Sequence, residues 1–201
     1  MNLVVGATGA LGGEICRVLV DEGRPVRALV RASSPRDRVE RLGSLGVETV
    51  YGDLKDRDSL AQACEGVDAV LSTATVIVRA EEGDSFERTD HRGHIDLIEV
   101  AEKARVRRFL FLSFGEIPLE FPLQDAKRAV ERRLAESSMT HTVVRPGNFI
   151  EMWPSPMMGW DLAGGCVRIP GDGEGRLNWT SIGDVARVAA AALREPPAAE
   201  V

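Results

Sequence analysis

The sequence predicts an α/β fold, a doubly wound parallel sheet with a small C-terminal extension, and three observations carry that prediction. The first is a glycine-rich turn near the start, Val4-Val5-Gly6-Ala7-Thr8-Gly9-Ala10-Leu11-Gly12-Gly13, which joins an apolar strand to an amphipathic helix. The second is an alternation of short apolar runs with stretches of helical spacing, the pattern of parallel strands connected by helical crossovers. The third is size: 201 residues, 44% hydrophobic and 28% charged, suffice for one globular domain with a full core.

Gly6, Gly9 and Gly12 allow a tight turn, close approach of a pyrophosphate to the backbone, and close packing of helix on strand. The helix N-terminus behind them offers unpaired N–H groups and a partial positive charge. The spacing G-x-x-G-x-x-G is one residue wider than the G-x-G-x-x-G of dinucleotide-binding turns, so the stretch reads as a phosphate cradle by its context, or else as a ligand-free βα turn. Leu11, Ile15, Val18 and Leu19 give the helical stripe, which closes at Gly23. A second strand is expected at 25–30 and a third at 46–51, with a helix over 36–42 between them. Asp58 is expected to cap a short helix through Cys64, followed by a fourth strand at 67–72. One long helix is expected over 84–104, a fifth strand at 108–113, a helix over 123–136 and a sixth strand at 141–145, stopped by Pro146-Gly147.

Beyond Pro146 the periodicity breaks. Trp153-Pro154-Ser155-Pro156-Met157-Met158-Gly159-Trp160 reads as a loop or short helix packed on something apolar. Short strands around 167–169 and 177–180 precede a helix over 183–193, so residues 146–181 form an irregular region within a single domain spanning 1–201. The end, Glu195 to Val201, resembles a helix exit into a loop, and the natural sequence is expected to continue beyond it.

The net charge of −6 argues against a nucleic-acid surface. Cys16, Cys64 and Cys166, odd in number and far apart, fit neither a disulfide framework nor a zinc site and read as buried thiols in a reducing cytoplasm. No run approaches about 18 apolar residues and no leader precedes the first strand, so a cytoplasmic protein without a membrane span is expected. The histidines share no ligand spacing, so no metal is expected.

Ligands of open α/β sheets bind at the carboxyl ends of the strands. Where a preference for NAD would place an acidic residue after the second strand, Arg31 stands, with Ser33, Ser34 and Arg36 behind it. These are cationic forks and hydroxyls suited to a 2′-phosphate, which favours NADP(H), unless Arg31 is an ordinary exposed strand-end arginine. Asp53, after the third strand, is placed to accept from an adenine amino group or to form a turn. Lys127 falls inside the apolar stripe Leu123, Ala126, Val130 and Leu134. There it either finds partners among ribose hydroxyls and a carbonyl, or is tethered to Glu131 four residues on. Ser113, at the end of the fifth strand, is a candidate donor to substrate or a turn-bonding serine. His94 shares a stripe with Leu97, Ile98 and Ala101, which reads as packing or as the face of a homodimer. Glu87 and Asp90 read as solvated carboxylates of a first helical turn. Tyr51, the chain's tyrosine, lies on the adenine side, so no tyrosine acid accompanies Lys127.

The glycine turn, the 26–31 strand, Tyr51-Gly52-Asp53-Leu54, Arg107-Arg108-Phe109 leading to Ser113, Lys127 with Glu131, and Thr142-Val143-Val144-Arg145-Pro146-Gly147-Asn148-Phe149 together resemble the atypical short-chain dehydrogenases, NmrA-like branch. The resemblance implies a Rossmann domain with an NADP(H) site made by Gly6, Thr8, Gly9, Ala10, Leu11, Gly12, Arg31, Ser33, Asp53, Leu54, Thr73, Ala74 and Lys127. It implies Lys127 and Ser113 as the catalytic candidates and a shallow pocket for a small-molecule substrate formed by Asn148, Phe149, Trp153, Met157 and Trp160. The Y-x-x-x-K pair of typical short-chain dehydrogenases is incomplete, because Leu123 stands four residues before Lys127. The expected function is NADPH-dependent reduction of a small carbonyl or quinone-like compound by hydride transfer. The alternative is a non-catalytic NADP(H)-binding sensor or assembly factor.

Overall fold

A computed structural model of the chain describes residues 1–77, 79–153, 155–169 and 171–194. Six strands, β1 (Asn2–Val5), β2 (Val26–Val30), β3 (Glu48–Tyr51), β4 (Ala69–Ser72), β5 (Arg108–Leu112) and β6 (Thr140–Val144), form one sheet in the order β3-β2-β1-β4-β5-β6. Every neighbouring pair runs parallel. The order reverses between β1 and β4, which makes the crevice above those two strands the place where a doubly wound sheet binds its ligand. This is the expected fold class, with strand ends within two residues of the expected limits.

Parallel strands are buried on both faces, so each residue commits to one face or the other. Val4, Ala28 and Leu110 face one core, covered by Ile15 and Leu19 of α1 (Ala10–Asp21) and Ala186 and Ala189 of α6 (Ile182–Ala192). Leu3, Val5, Phe109 and Phe111 face the other. That second core is closed by Leu60 of α3 (Arg57–Cys64), Leu97 and Ile98 of α4 (His94–Lys103), and Val130 and Leu134 of α5 (Pro122–Ala135). Phe109 and Phe111 are sealed from solvent, and burial of each contributes about 2–3 kcal/mol. α2 (Arg36–Ser44) lies after β2 and buries only Leu42.

Four expectations need correction. The cap of α3 is Asp56, whose carboxylate accepts from the Asp58 and Ser59 amides; Asp58 sits one position inside the helix. The expected long helix over 84–104 is instead a π-helical segment, Phe86–Gly93, that runs into α4. Its wider turns change the direction in which each side chain points. Cys166 is exposed in a short hairpin, β8 (Trp160–Asp161) with β9 (Cys166–Val167), whereas Cys16 and Cys64 are buried thiols. The strand expected at 167–169 is confined to that hairpin, and the other joins β7 (Asn148–Phe149) in parallel as β10 (Trp179–Thr180). The expectation for Glu195 to Val201 lies outside the described residues. Among the described residues, no helix is long and apolar enough to cross a membrane.

Candidate functional site

The carboxyl ends of β1, β2, β4 and β5 open onto one edge. Gly6 leaves β1 at φ +88°, a left-handed conformation that side chains rarely adopt. A Cβ on Gly6 would lie 2.8 Å from the Ala74 amide nitrogen and from Thr73 Oγ1, and one on Gly12 would lie 2.2 Å from the Gly6 carbonyl oxygen. The turn is therefore pressed against both the loop after β4 and the first turn of α1. α1 starts at Gly9 with no side-chain cap and no acidic residue in its first turn, in contrast to α3 with its Asp56. The free N–H groups of Ala10, Leu11 and Gly12 suit an anion. A cleft of about 270 Å³ opens beside them, lined by Thr8, Gly9, Ala10, Arg38 and Arg41 among others. Arg38 donates to the Thr8 carbonyl at 2.8 Å. Arg36, expected beside the phosphate, is exposed and paired with Glu40, and it is Arg38, two residues further along the same helix and not among the expected residues, that reaches the cradle. The density of arginines after β2 was the available signal; which of them turns toward the cradle depends on the helix phase.

Arg31 stands at the end of β2 as expected, but it is not a free arginine. Its guanidinium pairs with Asp84 at 2.8 Å and with Glu81 at 3.4 Å, both from the loop that follows β4. Ser33 donates to Glu81, and Lys55 bridges Asp84 to Asp53. Burial draws the Asp84 carboxyl up, yet hydrogen bonds from Lys55, the Glu81 amide and Arg31 hold it down at about 2. Asp53 accepts from the Lys55 amide at 2.8 Å and from the Lys55 ammonium at 3.1 Å, the turn-forming arrangement. Leu54 is buried behind it, and Thr73 Oγ1 donates to the Val5 carbonyl at 3.3 Å.

Lys127 is 4% exposed in the middle of α5. Its ammonium lies 3.4 Å from the Ala74 carbonyl oxygen, 3.6 Å from Asp90 Oδ1 and 4.7 Å from the centre of the Phe111 ring. Burial lowers its pKa and the neighbouring Asp90 pulls it back up. The tether to Glu131 does not form, because Glu131 pairs with Arg128 and Arg145. Asp90 is not solvated: it is sealed from solvent, and its Oδ2 accepts the Val76 amide at 3.1 Å. His94 also points inward, which removes it as a dimer face. Its Nδ1 meets the carbonyls of Thr89 and Asp90 at 3.1 Å, and its Nε2 lies 2.8 Å from Ser72 Oγ. Carbonyls only accept, so Nδ1 carries the hydrogen and Ser72 donates to Nε2. Burial and the Lys127 charge lower the His94 pKa to about 3, which keeps the ring neutral.

Ser113 is buried at the end of β5, where its hydroxyl accepts from Arg128 at 3.1 Å. It meets Arg128 and its network with Glu131 rather than the Lys127 ammonium. Asn148 and Phe149 sit on β7, with Phe149 packed against the α1 side of the core and Asn148 donating to the Asn178 carbonyl at 3.3 Å. Trp153 stacks edge-to-face on Trp179 at 5.5 Å. Tyr51 is 62% exposed at the end of β3, and Leu123 is buried, so no tyrosine hydroxyl approaches Lys127.

Residues 6–196 match the model of the NAD(P)H-binding family. The Ycf39 photosystem II assembly factor of Synechocystis sp. is 32% identical over 152 residues, 74% of this chain and 45% of that protein. The NAD(P)H azoreductase of Xenophilus azovorans is 31% identical over 204 residues, 98% of this chain and 64% of that protein. The chain thus spans between about half and two thirds of the length of these relatives. In fold it superposes on the NADPH-dependent quinone oxidoreductase QOR2 of Escherichia coli, complexed with NADPH, with a TM-score of 0.75 at 25% identity, covering 94% of this chain and 63% of that one. As its resemblance to the NmrA-like atypical short-chain dehydrogenases implied, the chain belongs to the NAD(P)H-binding family.

Proposed function

We propose that the chain is an NADPH-dependent reductase of a small, flat carbonyl or quinone-like compound. One observation carries this reading: Ala74 connects the two halves of the site. Its amide nitrogen closes over the space left by the missing Cβ of Gly6, and its carbonyl receives the Lys127 ammonium. A pyrophosphate on the cradle and a buried ammonium on the nicotinamide side thus belong to one crevice. The residues fit the cofactor. The uncapped start of α1 suits the pyrophosphate, Arg31, Ser33 and Arg38 suit a 2′-phosphate, and Asp53 and Leu54 border the adenine side. Thr73 and Ala74 would line the nicotinamide side, and Lys127, beside the Ala74 carbonyl, would hold the ribose hydroxyls there.

When bound, NADPH supplies a hydride. The chain supplies orientation and charge: Lys127 holds a proton at Nζ close to where a substrate oxygen would gain negative charge. Asn148, Phe149 and Trp153 border the substrate side, and Ser113 steadies the end of β5 through Arg128. The names of the azoreductase and quinone oxidoreductase relatives support a reductase of this kind. A second reading, an NADP(H)-binding assembly or regulatory factor, is favoured by Leu123 in the tyrosine position and by the likeness to Ycf39. Measured NADPH oxidation against a panel of quinones and azo compounds separates the two. Turnover that falls by roughly a hundredfold in Lys127→Ala is expected from a group acting in the transition state. Tight NADPH binding without turnover by any compound overturns the reductase reading in favour of the second.

A further inference from the structure

Among the described residues, three buried side-chain oxygens lack a hydrogen-bond donor: Glu81 Oε1, Asp90 Oδ1 and Ser155 Oγ. Asp90 Oδ1 is distinguished by what it faces, the Lys127 ammonium at 3.6 Å. A carboxylate sealed from solvent persists only where a charge compensates it, and here that charge is on the residue at the centre of the proposed site. The local architecture is devoted to this placement. Asp90 lies in the π-helical segment, and Oδ2 is fixed by the Val76 amide, so Oδ1 is the atom left for Lys127. The wide turns are clamped by His94, which donates Nδ1–H toward the Thr89 and Asp90 carbonyls and is anchored through Nε2 to Ser72 at the end of β4. Gly93 lets the segment lie against the loop after β3, where a Cβ would come within 2.8 Å of Leu54 Cβ. π-Helical turns of this kind often occur at functional sites because they redirect one side chain.

We infer that Asp90 is the positioning residue of the site: its carboxylate holds Lys127, as a charged ammonium, against the Ala74 carbonyl at the nicotinamide side of the crevice. This rests on the proposed role of Lys127 in cofactor binding. The groups that face Lys127 are Asp90 from the π-helical segment, neutral His94 at the start of α4, Glu131 on its own helix and the Phe111 ring from β5. Removing the Asp90 charge therefore removes the nearest anion and leaves only the more distant Glu131, which Arg128 and Arg145 already engage.

The test uses Asp90→Asn, which preserves volume, Asp90→Glu, which preserves charge, and Lys127→Ala. The chain's lysines are Lys55, Lys103 and Lys127, so Lys127 can be assigned in ¹⁵N-lysine spectra of the cofactor-free protein by its loss in Lys127→Ala. Asp90→Asn is expected to move the Lys127 titration down by about one pH unit or more, with Asp90→Glu restoring most of it. NADPH affinity is expected to fall roughly tenfold in Asp90→Asn and to recover in Asp90→Glu. An unchanged Lys127 titration in Asp90→Asn overturns the inference, as does unchanged NADPH affinity in a protein whose affinity is lost in Lys127→Ala. If Lys127→Ala leaves NADPH affinity intact, the placement of Lys127 in the cofactor site fails, while the titration still decides the pairing with Asp90. Should Asp90→Asn fail to fold, the wild-type protein decides: its Lys127 ¹⁵Nζ signal at neutral pH is expected to be that of a charged ammonium, and a neutral amine there rejects the pairing with Asp90.

Discussion

Arg31 shows how a residue's place can follow from the strand pattern while its state does not. Its place at the end of β2 follows from the strand pattern, and its suitability for a phosphate follows from its planar fork. What the sequence does not express is that the loop after β4 returns to it. Glu81 and Asp84 reach Arg31 across about fifty positions of sequence, and no periodicity encodes such a contact. The cluster of Arg31, Lys55 and Arg79 with Asp53, Glu81 and Asp84 is neutral by formal charge, so a 2′-phosphate entering it competes with carboxylates already present. Glu81 is the weaker competitor, at 3.4 Å and with one oxygen lacking a donor, whereas Asp84 is held by both Arg31 and Lys55. Glu81→Gln is therefore expected to tighten NADPH binding by roughly three- to tenfold, the effect of removing one partly screened charge, and to change NADH binding little. Fluorescence titration with the two nucleotides checks this, and equal gains for both would place Glu81 away from the phosphate.

At the level of elements, legibility follows locality. The β1-turn-α1 unit was readable because its glycine spacing and the start of its helical stripe lie within about ten residues, and the inner strands were readable because each is a short, largely apolar run. Asp90 was misplaced for one reason: projection at about 100° per residue assumes an α-helix, and residues 86–93 wind more widely. On an ideal wheel Asp90 is a solvated first-turn acid, whereas the α-helical stripe of His94 with Leu97, Ile98 and Ala101 packs inward, one of its two expected readings. In the π-helical segment Asp90 is sealed, and His94, the first residue of α4, is sealed against the segment's carbonyls. This gives the segment a pH signature. The folded state holds His94 neutral with a pKa of about 3, whereas in the unfolded chain it titrates near 6.5. The stability it contributes is complete above about pH 6.5 and is lost as the pH falls toward 3, because only the unfolded chain then takes up the proton. The slope is about 1.4 kcal/mol per pH unit in that window. His94→Gln keeps a neutral hydrogen-bonding side chain without this titration. Urea unfolding of the variant is expected to show a flatter pH dependence between 6.5 and 4, at the cost of lower stability at neutral pH.

For the whole molecule, strand order gathers these local features at one edge of the sheet. Placing β1 and β4 side by side at the centre brings the glycine turn, Thr73 and Ala74 together, and with β5 beyond β4 the inner face of α5 delivers Lys127 to the same edge. A ligand spanning that crevice touches both halves of the sheet, so its binding should stabilise the fold as a unit. Binding to the native state alone contributes RT ln(1 + [L]/Kd), about 2.7 kcal/mol at a hundredfold excess over Kd. For a chain of this length that corresponds to a rise in melting temperature of roughly 5–10 °C. NADPH is expected to give this shift, and NADH at the same concentration a smaller one, since the adenine-side cations find no 2′-phosphate to pair with. Arg31→Ala should bring the two shifts together by lowering that of NADPH, while Lys127→Ala should lower both in parallel, because the nicotinamide ribose is common to the two nucleotides. Differential scanning fluorimetry of the three proteins with each nucleotide distinguishes these patterns. Shifts that respond to neither variant would place the nucleotide outside the crevice between β1 and β4.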